Sequence, residues 1–139
     1  MLKVIYKPLS GNKRWHFRTV TRIVIEYSRR TKGLLYGVDE IDQFCNPNEP
    51  LEPELNEVVE YGRHRFMSMS CTTRRPHKVS RNLTAQCATM RIFKTNEPRD
   101  KKYFEEFIGS AVKELPLLGQ YEYLEWEDTG EVSVRGGKV

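Results

Sequence analysis

The sequence is poor in the features by which most site chemistry declares itself. Its three cysteines, Cys45, Cys71 and Cys87, stand far apart, with neither the CxxC pairs of a zinc site nor the density of a disulfide scaffold, so they read as reduced thiols. The histidines His16, His64 and His77 are each single, with no HxH or HxxxH spacing, which leaves no expected metal site. No GxGxxG or GxSxG occurs, nor GxxxxGK followed by Ser or Thr, so the commonest nucleotide and hydrolase signatures are missing. No apolar run approaches the ~18 residues of a membrane span, and mean hydropathy is −0.65. Residues 1–11 lack the apolar core of a signal peptide, and the expected location is cytoplasmic, away from membranes. Internal repeats and a domain linker are also missing, so 1–139 reads as a single domain.

What is present is a foldable composition with an unusual arrangement of charge. Fifteen aromatics and 38% hydrophobic residues argue against disorder at this length. From Met1 to Val38 there are nine Lys or Arg and one acid, Glu26; from Asp39 to Glu60 there are eight acids and no base. Residues 61–95 then carry eight bases and no acid, and 96–139 carry six bases and ten acids. A formal net charge of +4 therefore conceals strongly polarised segments. Two readings compete: basic segments neutralised internally by acidic ones, or basic segments that meet on a surface and bind a polyanion.

Periodicity suggests a mainly β architecture. Leu2 to Tyr6 alternates as a short opening strand, and Phe17 to Tyr27 is rich in β-favouring residues and reads as the best strand. Ser28 to Gly33 is a basic loop, after which Leu34 to Val38 reads as the returning strand of a hairpin. Three prolines make 46–53 a surface loop, 56–71 reads as strand again with a bend at Gly62, and 88–94 leans to strand. An apolar stripe from Tyr103 to Leu115 predicts one amphipathic helix over about 98–115. Residues 121–135 predict a C-terminal β-hairpin around Asp128-Thr129-Gly130. The expected fold class is α+β, a mainly antiparallel sheet with that one helix packed on it.

Three basic clusters are the candidate sites. Lys13 and Arg14 with Trp15, His16 and Arg18 interleave cations with rings that can stack on unpaired bases. Arg29 and Arg30 sit in the next loop, and Arg74, Arg75 and Lys78 surround Pro76, where arginine forks can hold phosphate. Asp39, Glu40, Asp42, Glu57 and Glu60 supply acids, but no cation lies in their segment to complete a metal nuclease. The expected function is a small non-enzymatic protein that binds RNA or DNA through this basic face with weak sequence specificity. It would have no catalytic residue and no cofactor. The alternative is a protein-interaction module, an accessory or inhibitor protein that docks through the acidic loop carrying Glu49, Glu52 and Glu54.

Overall fold

A computed structural model of the chain describes residues 3–7 and 11–136. They form two compact units, Met1–Arg74 and Arg75–Val139. The class is α+β, but a mainly antiparallel sheet with one helix is not what the chain builds: four helices accompany a two-stranded parallel sheet and a three-stranded antiparallel one among the described residues.

The first unit opens with the largest departure. Residues Lys13–Ser28 are not a strand but a helix of 16 residues, α1, although Thr, Val and Ile are abundant in it. Its buried residues are Phe17, Thr21, Ile25 and Ser28, a spacing of three to four that places them on one helical stripe. Two of the four are polar, so the stripe does not show as an apolar period, while chance alternation further along imitates a strand. Asn12 starts the helix by accepting the Trp15 backbone N–H at 3.0 Å. The first turn holds Lys13 and Arg14 and no acid, so two cations sit at the positive end of the helix dipole. Of the expected opening strand, Leu2 lies outside the described residues, and 3–7 have no regular structure.

Strand β1, Leu34–Val38, does not return along a hairpin. It pairs in parallel with β2, Met67–Cys71, in a register running from Leu34 opposite Met67 to Val38 opposite Cys71. A parallel pair requires a crossover, and helix α2, Pro53–Tyr61, supplies it. The supposed strand over 56–71 is thus a helix, a short 3-10 turn at Arg63–Arg65, and only then β2. Pro53 is the first residue of α2, where its missing N–H costs no hydrogen bond. Tyr36, Val38, Ile41, Leu55, Val58 and Met67 are buried together with the α1 stripe, and Phe17 stacks on Phe44 at 4.2 Å between ring centroids.

The second unit contains α3 (Arg81–Thr84), β3 (Thr89–Phe93), α4 (Pro98–Ile108), β4 (Glu122–Glu127) and β5 (Val132–Gly136). The stripe expected over 98–115 is α-helical to Ile108 and 3-10 from Gly109 to Leu117. The sheet order is β3-β4-β5, antiparallel throughout, and Gly130 turns the last pair with φ of 87°. Ile92, Ile108, Leu115, Leu118 and Leu124 form its core, with Phe104, Phe107 and Trp126 packed around them.

Candidate functional site

The parallel pair decides where a site can lie. In sheets of parallel strands, ligands bind outside the carboxyl ends, where loops diverge and helix N-termini converge. Here β1 runs out into Asp39 and Glu40, and β2 runs out beside it into Thr72, Thr73 and Arg74.

These residues are tied into one polar cluster. The Glu40 backbone N–H donates to Thr72 Oγ1 at 3.1 Å, and the Thr72 hydroxyl donates in turn to the Asp39 carboxylate. Thr73 Oγ1 donates to Asp42 Oδ1 at 2.6 Å. Arg74 Nε lies 3.2 Å from Glu40 Oε1, and the Gln43 side-chain amide donates to Glu40 Oε2. Lys13, in the first turn of α1, closes the group: its Nζ donates to Gln43 Oε1 at 3.1 Å. Glu40 stands in the left-handed region with φ of 50° and ψ of 54°, a conformation that costs a non-glycine residue on the order of 1 kcal/mol. Strain of this kind persists where the surroundings enforce it, and here a hydrogen bond at its own N–H and two partners on its carboxylate do so.

The acids therefore have cations after all. Asp39, Glu40 and Asp42 have no cation in their own segment, whereas folding brings Arg74 from beyond β2 onto Glu40 and Lys13 from α1 onto the Gln43 amide beside it. Asp39, Glu40 and Thr72 are the functional candidates the basic-patch reading missed. One signal was available: an apolar strand, Leu34-Leu35-Tyr36-Gly37-Val38, that ends abruptly in two adjacent carboxylates.

The predicted phosphate-contacting residues meet different fates. Arg14 pairs with Glu49 at 3.3 Å and with Glu52; Arg18 grips Glu54 through two bonds of 2.9 and 3.1 Å. Arg22 reaches Glu54 at 2.6 Å, and Arg29 pairs with Glu26 at 2.5 Å and Glu57 at 3.4 Å. The acidic segment thus lies along α1 and neutralises it, and Glu49, Glu52 and Glu54 are engaged within the fold. Arg18 and Arg22 hold the Glu54 carboxyl down to about 2 against the penalty of its burial. The arginine partners raise correspondingly: Glu52 does so for Arg14 and Glu54 for Arg18. Trp15 and Arg30 remain exposed, and His16 Nδ1 meets the Tyr6 hydroxyl at 2.5 Å. Arg75 and Lys78 belong to the second unit and are exposed. In that unit burial pushes the Cys87 thiol up, away from nucleophilic use.

No protein-family model and no curated protein sequence matches the chain. Solved structures do. In fold, the chain is similar to a viral genome packaging NTPase. The genome packaging NTPase B204 of Sulfolobus turreted icosahedral virus 2, in complex with ATP-gammaS, superposes with a TM-score of 0.82 at 16% identity, covering 96% of this chain and 66% of the virus protein. Its AMP complex gives 0.80 at 17% identity over 94% of this chain and 65% of that one. The DNA-packaging ATPase of Sulfolobus turreted icosahedral virus gives 0.81 at 16% identity, covering 97% of this chain and 65% of that one. The chain thus spans just under two thirds of the length of the proteins it resembles. This likeness corrects the expectation of a small non-enzymatic binding protein, and of an interaction module as its alternative. The fold is one that solved structures show in an NTPase holding nucleotides, and the arginines meant for a polyanion are largely spent on glutamates. Among the described residues no helix is long and apolar enough to cross a membrane.

Proposed function

We propose that this chain is the nucleotide-handling part of a genome-packaging type of NTPase, with a nucleoside triphosphate held at the carboxyl ends of β1 and β2. The observation that carries the reading is the link, through the Gln43 amide, between Lys13 at the N-terminus of α1 and Glu40, which with Asp39 follows the end of a parallel strand. A helix N-terminus with its free N–H groups favours anions, and Lys13 adds a full charge beside them. Asp39, oriented by the Thr72 hydroxyl, is placed to hold the metal ion that accompanies the nucleotide and neutralises its phosphates.

Glu40 is the group placed to accept a proton. In hydrolysis a water oxygen forms the new bond to the γ-phosphorus, its proton passes to the Glu40 carboxylate, and the bond to the β-phosphate oxygen breaks with its electron pair leaving on the diphosphate. The departure from the usual phosphate-binding signature is specific: Asn12 and Arg14 flank Lys13 where Gly and Ser or Thr are customary. Asp39 and Thr72 would then be the oxygen donors for a metal, which would neutralise phosphate charge. Nucleic acid is the partner on which such an NTPase would act, and in the first unit Trp15 and Arg30, both exposed and outside the cluster, are available for its contacts.

Titration with a fluorescent ATP analogue and Mg²⁺, beside a phosphate-release assay, tests the reading. Lys13→Ala and Asp39→Asn should each weaken binding by about tenfold or more, since a hydrogen bond to a charged group contributes about 1.5–3 kcal/mol. Glu40→Gln should retain binding and lose about a hundredfold or more in hydrolysis. Wild-type protein that binds no nucleotide, or Lys13→Ala that binds as well as wild type, overturns it.

A further inference from the structure

Gln43 belongs to no part of the chemistry just described, yet it touches both ends of it. Its side-chain oxygen accepts from Lys13 Nζ at 3.1 Å, and its side-chain nitrogen donates to Glu40 Oε2. Its backbone N–H donates to the Glu40 carbonyl at 3.0 Å, which fixes the short 3-10 turn Ile41–Gln43 that carries it. The second Glu40 oxygen, Oε1, faces Arg74 at 3.2 Å. The phosphate-binding lysine and the proton acceptor are therefore linked through one primary amide, and both carboxylate oxygens of Glu40 are occupied.

We propose that Gln43 is a positioning residue that locks the site before nucleotide arrives: it holds Lys13 and Glu40 together, and release of Lys13 to the phosphates releases Glu40 to the water. The inference rests on the nucleotide reading above and adds a regulatory step to it. The argument is one of competing partners. The Lys13 ammonium has three N–H groups but can stand in one place, so a phosphate that draws its Nζ away from Gln43 Oε1 breaks the lock. An amide that has lost the lysine on its oxygen no longer has its nitrogen pinned against Glu40, and the carboxylate is free to turn Oε2 toward the water. Because the lock exists only in the nucleotide-free state, it opposes binding and leaves the rate of the loaded site untouched.

The same competition gives two substitutions opposite signs. Gln43→Ala removes the competitor for Lys13, so nucleotide binds tighter, by about twofold to tenfold, the range of one modest hydrogen bond. Gln43→Glu gives Lys13 an ion partner, so nucleotide binds weaker by a similar factor. Gln43 is exposed, so neither change disturbs the core. The experiment measures affinity for the fluorescent ATP analogue with Mg²⁺, together with kcat and KM for ATP, in wild type and both variants. The expected result is KM moving down for Ala and up for Glu, with kcat of the Ala variant at saturation within about twofold of wild type. Weakening in both variants marks Gln43 as merely structural and overturns the lock, as does a large fall in kcat at unchanged KM. If wild type itself binds no ATP, the nucleotide reading fails and the lock with it, whereas ATP binding with both variants shifted alike removes the lock alone.

Discussion

Replacing Glu54 by Gln tests how α1 is held against α2, and the outcome can be worked out in advance. Glu54 is 8% exposed and accepts bonds of 2.9 and 3.1 Å from Arg18 and one of 2.6 Å from Arg22. Its pKa falls from an ordinary 4.5 to about 2, chiefly through the Arg18 hydrogen bonds. Taken whole, that shift corresponds to an upper limit of about 3 kcal/mol. The arginine side chains are 43% and 66% exposed, however, so water screens the pair and about 1–2 kcal/mol is the reasonable contribution. Glu54→Gln should therefore lower Tm at pH 7 by about 3–8 °C. The pH dependence has a definite sign. A carboxylate whose folded pKa is depressed stabilises fully above its unfolded pKa, and the benefit drains as pH falls toward the folded one. The gap between wild type and Glu54→Gln, followed by urea or thermal unfolding, should be constant from pH 7 to about 5.5 and lose more than half its size by pH 3. No gap at pH 7, or one that persists unchanged at pH 3, would refute the account of the clamp.

Two further expectations bear on the same unit. Thr21 is fully buried, donates to the Phe17 carbonyl at 2.7 Å and meets the Tyr36 hydroxyl at 2.8 Å, so Thr21→Val leaves a buried hydroxyl without its partner and should cost about 1–3 kcal/mol in urea unfolding. Adding Tyr36→Phe should recover part of that loss, and strict additivity of the two changes would exclude the coupling. Arg14→Thr places the customary hydroxyl after Lys13; it should raise Mg²⁺-dependent affinity for the ATP analogue several-fold with little change in Tm, because the Arg14 side chain is 56% exposed and Glu52 keeps Arg18 at 3.4 Å.

How legible the fold was depended on whether a pattern is local. The α4 stripe and the turn at Gly130 are set by neighbours within a few residues, and their residues carry that signal openly, whereas β3, which only leans to strand, pairs with β4 some thirty residues on. Helix α1 was hidden because its inward face alternates apolar Phe17 and Ile25 with polar Thr21 and Ser28, while Val20, Ile23 and Val24 supplied strand propensity without burial. Helix α2 was hidden by Pro53, which breaks a helix from within but starts one from its first position. The parallel partner of β1 lies 33 residues away, at Leu34 opposite Met67, and nothing in either strand's composition names the other. Once that pairing is missed, the carboxyl-end location of a site cannot be inferred.

The charge blocks illustrate the same limit from the functional side. The segments that looked like a polyanion surface and its acidic counterweight are largely each other's partners across α1 and the stretch leading into α2. Of the four cations within α1, the three arginines Arg14, Arg18 and Arg22 are matched by glutamates, while among the described residues Lys13 meets the neutral Gln43 amide and no carboxylate. A lysine left without a carboxylate at the positive end of a helix, in a segment so rich in acids, is destabilised in the absence of an anion. That residual positive potential lies beside Asp39 and Glu40, which a bare phosphate would find repellent and a metal-bound phosphate would not. If the proposed nucleotide site is right, it favours a nucleotide carrying its cation over free phosphate, and inorganic phosphate without Mg²⁺ should compete poorly in the ATP-analogue titration.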